Sequence, residues 1–129
     1  MRRAVIHHLA FTVRDLAASE AAFYGPLLEF LGYENAGGTP RMLVWRALDG
    51  SSAVHLFQAE GAFHVPEHDH CAFSVASRGD VDDLHALLGR HGVTIAGPPA
   101  EYPRFAPGYY AIFFNDPDGR LFEVLHVPS

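Results

Sequence analysis

His8-Leu9-Ala10-Phe11-Thr12-Val13 and His70-Cys71-Ala72-Phe73-Ser74-Val75 are two versions of one hexapeptide, 62 residues apart. His, Ala, Phe and Val recur in place, Thr becomes Ser, and Leu becomes Cys. An internal repeat governs every later reading of a chain, so it is taken first. Each copy alternates with the period of a β-strand. Leu9, Phe11 and Val13 share one face, and His8, Ala10 and Thr12 share the other. In the second copy Cys71, Phe73 and Val75 oppose His70, Ala72 and Ser74. One face is bulky and apolar, and suits a core. The other is small and polar apart from its His, and suits the wall of a concave pocket.

Working outward, each copy is followed by a helical pattern. After the first, Asp15 is the expected N-cap, and Leu16, Ala17, Phe23, Leu27, Leu28 and Leu31 fall at helical spacing. Pro26 interrupts or kinks this helix, because proline lacks the backbone donor. After the second, Asp80 is the expected cap before Val81, Leu84, Leu87 and Leu88. Gly32 and Gly92 stand where C-terminal glycines belong. Short strands are expected near 33–35 and 93–96, and further strands over 42–48, 53–58, 109–114 and 121–127. Asn115-Asp116-Pro117-Asp118-Gly119 reads as the turn of a hairpin, and Asp49-Gly50-Ser51-Ser52 plays that part earlier. The order is strand, helix, three strands, twice over. This predicts an α+β fold in a single domain, residues 1–129. Module 1 covers about 5–58 and module 2 about 69–127, joined by linker 59–68.

The repeat pairs His8 with His70 and His55 with Glu123. Glu123 stands among Leu121, Phe122, Val124 and Leu125, and an unpaired charge in an apolar strand is costly unless it is paired or bound to a metal. Two His and one carboxylate make a facial triad for divalent iron and related ions, with positions open for substrate. His55 is a candidate for a fourth position, with pocket residue as the alternative reading.

Composition narrows the chemistry. All nine basic residues are Arg. Lysine Schiff-base catalysis and a phosphate loop ending in Gly-Lys-Ser/Thr are therefore excluded. A formal net charge of −6 disfavours nucleic acid as a partner. No apolar stretch approaches the roughly 20 residues that span a bilayer, and no apolar signal core follows Met1-Arg2-Arg3. The single Cys71 allows no internal disulfide, which points to the cytoplasm. Nine His exceed what a core needs, and His is the commonest metal ligand.

Residues 8–24, 70–75 and Asp116-Pro117-Asp118-Gly119-Arg120-Leu121-Phe122-Glu123 together resemble the vicinal oxygen chelate superfamily. That group includes glyoxalase I, extradiol dioxygenases, fosfomycin-modifying enzymes and bleomycin-binding proteins. The resemblance covers essentially the whole chain. It implies two tandem βαβββ modules whose curved mixed sheet forms a cup-like half-barrel with helices on its outer face. It also implies one divalent metal (Fe, Mn, Ni, Co or Zn) on His8, His70 and Glu123. His55 falls where glyoxalase I-like members carry a fourth ligand, usually Glu, and here a His stands instead. Phe113 falls where ring-cleaving members often carry Tyr, which counts against ring cleavage. The resemblance further implies a homodimer that covers exposed sheet edges.

The functional expectation is a metal-dependent lyase, isomerase or dioxygenase acting on a small oxygenated metabolite. His55 and Glu123 are its candidate catalytic residues, since an imidazole suits proton transfer near neutral pH. Trp45, Phe57, Arg104, Tyr109, Phe113 and Leu121 are the candidate pocket wall. The Pro-rich segment 98–108 reads as a lid, with Arg104 placed to meet a substrate carboxylate. The alternative is a binding protein of the bleomycin-resistance kind, which holds a small molecule without turnover. His7 and His126 read as structural, His64, His68, His85 and His91 as linker or surface residues, and Cys71 as core.

Overall fold

The computed structural model describes residues 2–129. The chain divides into two compact units, the first ending at Phe63 and the second running from His64 to Ser129. Each unit holds one four-stranded mixed sheet with helix packed on one face.

In unit 1 the strands are β1 (His8–Val13), β2 (Tyr33–Thr39), β3 (Met42–Ala47) and β4 (Ala53–Gln58), in the order β1-β4-β3-β2. β1 runs parallel to β4, and β4, β3 and β2 are antiparallel neighbours. Leu9, Phe11 and Val13 face the helical layer, where Phe11 stacks on Tyr24 at 6.3 Å between ring centroids. Val54 and Leu56 are register partners of Leu9 and Phe11, so they share that face and are buried. With Val13, Leu16, Phe23 and Leu27 they form the core of the unit.

Unit 2 repeats the plan. Its strands β5 (His70–Ser74), β6 (Thr94–Glu101), β7 (Tyr110–Asn115) and β8 (Leu121–His126) lie in the order β5-β8-β7-β6, with β5 parallel to β8. Phe122 stacks between Phe73 and Phe114, at 6.5 and 6.0 Å. Val81, Leu84 and Leu88 of the unit's helix are buried with them. The expected sequence of strand, helix and three strands is present in both units.

Three details differ from expectation, each for a local reason, and the interruption expected at Pro26 takes a specific form. The first helix is split. α1 (Leu16–Ser19) gives way to one π-helical turn (Glu20–Tyr24) and then α2 (Gly25–Phe30). Pro26 cannot donate, and its ring would press on the carbonyl four residues back; widening the turn relieves both problems. The Gly25 N–H then reaches the Glu20 carbonyl, so close that a Cβ on Gly25 would lie 2.8 Å from that oxygen. The second helix, α3 (Arg78–Arg90), is capped by Ser77 and not by Asp80. Ser77 Oγ accepts from the Asp80 N–H at 3.1 Å, which places Asp80 in the first turn, where a carboxylate suits the helix dipole. Asp15 does cap α1, accepting from Ala18 N–H at 3.1 Å.

Strand β2 runs on through Ala36-Gly37-Gly38-Thr39, because a bulge between Asn35 and Gly38 keeps the pairing with β3. A Cβ at Gly38 would lie 2.0 Å from the Met42 carbonyl oxygen, so only glycine admits that approach. Strand β6 likewise continues through Gly97-Pro98-Pro99 to Glu101, which shortens the expected loop. It is an edge strand pairing with β7 alone, and prolines are tolerated there because one side needs no donors.

Candidate metal-ligand faces

The face of each sheet away from the helix carries the polar candidates, and register decides which meet. In unit 1 Ala10 pairs with His55, and in unit 2 Ala72 pairs with Glu123. His55 and Glu123 therefore occupy equivalent places, each two residues along the parallel pair from a His at the strand start. The His8 and His55 rings stack, with centroids 4.4 Å apart and planes 14° from parallel. Burial lowers the His55 pKa below the ordinary imidazole value, and the neighbouring His8, His7 and Arg46 lower it further. The neutral ring so favoured is the form that binds a metal or accepts a proton. His7, expected to be structural and to lie on the strand face opposite His8, instead brings its Nδ1 to 3.0 Å from that of His8. Strand alternation does not constrain it, because β1 begins only at His8.

In unit 2 Glu123 is buried, 4% exposed, although its backbone neighbours are apolar. Tyr109 donates its hydroxyl proton to Glu123 Oε2. Burial and the adjacent carboxylate push the Tyr109 pKa up to about 12, so the phenol stays a donor at neutral pH. The other carboxylate oxygen, Oε1, lies 3.8 Å from His70 Nε2. That is too long for a direct hydrogen bond. It is within the reach of two donors to one cation, since two ligand bonds of about 2.1 Å span at most about 4.2 Å. His70 Nδ1 lies 3.3 Å from the His68 carbonyl oxygen, which can only accept. The proton of a neutral His70 in this bond is therefore on Nδ1, and the lone pair is on Nε2 toward Glu123. His68 holds a left-handed backbone, φ 66°, as it presents that carbonyl. The donor set of His70 and Glu123 thus fits a divalent ion. Neither unit by itself gathers three or more His, Cys, Asp or Glu in a metal-holding group among the described residues.

The expected wall residues divide. Leu121 and Phe113 are register partners of His70 and Glu123 and share their face. Phe57 shares the face of His55 by alternation along β4 and is partly exposed. Trp45 does not join them. It pairs with Val54, lies on the helix side and is buried, because a one-residue step along a strand reverses the face. The loop after β6 folds on itself: Phe105 N–H donates to the Tyr102 carbonyl, and Tyr102 N–H to the Tyr109 carbonyl. Tyr102 contacts Phe105 at 5.6 Å and Phe113 at 5.4 Å, and Phe105 contacts Tyr109 at 5.3 Å. Arg104 lies over the Phe105 ring, 5.0 Å from its centroid.

Residues outside these faces have structural work. His126 Nδ1–H donates to the Val75 carbonyl. Cys71 faces the helix layer, and burial raises its thiol to about 11, unsuited to a nucleophile at neutral pH. The Asp116 carboxylate locks the turn before β8, accepting from Asp118 N–H, Arg120 N–H and the Arg120 guanidinium. Tyr109 read by itself as a core aromatic or wall residue. Its bond to Glu123 had one sequence signal, the matching strand parity of 109, 111 and 113 against Glu123. The His68 carbonyl had none.

The model of the Glyoxalase/Bleomycin resistance protein/Dioxygenase superfamily matches residues 5–124. The chain belongs to this superfamily. Within it, the uncharacterized protein YqjT of Bacillus subtilis (strain 168) is 30% identical over 131 residues, covering 96% of this chain and 99% of the relative. Among solved structures, a glyoxalase-like protein of Bacillus halodurans is 28% identical, with a TM-score of 0.77 and 97% of each chain covered. A glyoxalase/bleomycin resistance protein of Albidiferax ferrireducens T118 shares the fold at a TM-score of 0.79, 24% identity, 97% of this chain and all of that one. A fosfomycin resistance protein of Listeria monocytogenes, solved with Mn(II), shares it at 0.72 and 18% identity, over 96% of this chain and 90% of that one. Members of the superfamily commonly use a divalent metal and act on small molecules. No helix among the described residues is long and apolar enough to cross a membrane.

Proposed function

We propose that the protein is a divalent-metal-dependent enzyme, a lyase, isomerase or dioxygenase, that acts on a small oxygenated metabolite. The observation that carries this reading is the buried Glu123 carboxylate, with the Tyr109 hydroxyl on one oxygen and His70 Nε2 3.8 Å from the other. His8, His70 and Glu123 are the proposed ligands, and His55 the candidate fourth. A bound divalent cation would supply Lewis acidity to two neighbouring substrate oxygens.

The chain's own groups supply the rest. His55, whose neutral form is favoured by burial, is the proposed proton acceptor if it is not a ligand. Leu121, Phe113 and Phe57 give the faces apolar borders that favour a compact substrate over bulk water. Arg104 is the proposed contact for a substrate anion, since the chain has no Lys to serve. The proposed metal is one of Fe, Mn, Ni, Co or Zn. A homodimer in the cytoplasm is part of the same proposal.

The test is metal analysis of untagged protein, then titration of the metal-free form with each ion. Binding of one equivalent is expected, strongly weakened but still measurable in His8→Ala, His70→Ala and Glu123→Ala. Retained affinity in His55→Ala would give a three-ligand site. A protein that takes up no ion from any of these titrations defeats the reading.

The aromatic cluster of Tyr102, Phe105, Tyr109 and Phe113 favours a second reading, a carrier that holds a planar ligand without turnover. Tight ligand binding that persists in Glu123→Ala, with no product formed, would select it.

A further inference from the structure

We infer that Tyr109 is a positioning residue for the metal ligand Glu123, fixing which carboxylate oxygen is offered to the cation. This rests on the metal-dependent reading above. A free carboxylate rotates and offers either oxygen, or both. Here the Tyr109 hydroxyl occupies Oε2, and Oε1 is the oxygen facing His70 Nε2. The consequence is one-oxygen ligation through Oε1. The hydroxyl also satisfies a lone pair on a carboxylate that is only 4% exposed, so the ligand is held in place before metal arrives.

The position of Tyr109 is itself determined. It precedes β7 on the Glu123 side, while the next residue, Tyr110, turns to the helix side and donates to Asp82 Oδ1. The Phe105 ring packs edge-on against Tyr109, and the Tyr102 N–H ties to the Tyr109 carbonyl. Tyr109 therefore has its backbone, ring and hydroxyl each fixed by a separate contact. His70 is held in the same way at its non-ligating nitrogen, by the His68 carbonyl. Outer partners of this sort orient ligands, and their loss typically costs 10- to 100-fold in metal affinity.

The experiment is isothermal titration of metal-free wild type, Tyr109→Phe, Glu123→Ala and the double variant with Zn(II) and with Mn(II). Tyr109→Phe is expected to bind about 10- to 100-fold more weakly than wild type. In the Glu123→Ala background the same change is expected to do nothing further, because its effect passes through Glu123. A purely structural bond would lower the melting temperature of Tyr109→Phe while leaving its affinity within about 2-fold of wild type, and that result overturns the inference. Wild type that binds neither ion fails at an earlier step, and so marks failure of the metal reading itself. Should Tyr109→Phe not fold, proton NMR of wild type decides. A protected Tyr109 hydroxyl proton is expected in both the metal-free and Zn(II)-loaded protein. Its loss on Zn(II) binding means that Glu123 releases Tyr109 to ligate, which also overturns the inference.

Discussion

The two units share one topology and place a His at the same point of the first strand, yet they are built to different tolerances. Unit 1 presents two stacked imidazoles, His8 and His55, with His7 beside them. Unit 2 presents an imidazole and a buried carboxylate, each held at its far atom by Tyr109 or the His68 carbonyl. A neutral ring is tolerated half-buried with few partners. A buried carboxylate is not, so the unit that carries it also carries the donors and the aromatic loop that restrain it. The same asymmetry holds at the turns. Asp116 is buried and clamps Arg120 at 2.7 Å, whereas the counterpart Asp49 accepts from the backbone and side chain of Ser51 on an exposed turn. It holds in the helices too, where α3 is regular over 13 residues and the unit 1 stretch is interrupted by the π-turn.

The sharpest way to break the comparison is at the turns. Asp116→Ala removes a buried carboxylate that accepts from the Asp118 N–H, the Arg120 N–H and the Arg120 guanidinium, and is expected to cost about 3–5 kcal/mol. Urea unfolding would measure it, and a loss below about 1 kcal/mol would show that the turn in unit 2 is no more essential than that in unit 1. The helices come next. Gly25→Ala sets a Cβ against the Glu20 carbonyl and is expected to destabilise by about 1–3 kcal/mol, against the usual gain from Gly to Ala. Gly89→Ala in α3 meets nothing within 4 Å and is expected to stabilise. Its gain should be about 0.5–1 kcal/mol. Equal signs for the two changes in thermal melts would contradict the close approach of Gly25 to the Glu20 carbonyl. The smallest effect is expected from Asp49→Ala, a melting temperature indistinguishable from wild type; a clear drop would make the two turns alike after all.

Much of the fold was legible because it repeats. Two hexapeptides with the same alternation, each followed by a helical pattern and a hairpin, specify the order of elements twice, and periodicity reports which face is buried. The departures come where a single residue has several neighbours to satisfy. Asp80 looked like a cap by its type, but Ser77, in extended backbone, accepts from the Asp80 N–H itself and starts the helix three residues earlier. Pro98-Pro99 looked like loop until pairing showed them on an edge. The site was legible to the extent that it depends on parity: His8, His55, His70 and Glu123 fall on the faces that alternation assigns them. Trp45 was misplaced because its partner on β4 is Val54, one step from His55, and register between strands is not written in either strand alone.

The sequence by itself determined that this chain is an α+β protein of two similar halves in the Glyoxalase/Bleomycin resistance protein/Dioxygenase superfamily. It also determined which four residues stand as ligand candidates, because residue types, strand period and repeat spacing are local properties. Tertiary structure decided what holds those residues. The Tyr109 hydroxyl reaches a carboxylate 14 positions away across a strand pair. The His68 carbonyl sets the His70 tautomer from a left-handed backbone. A hydrogen bond needs direction as well as proximity, and only the folded register supplies direction.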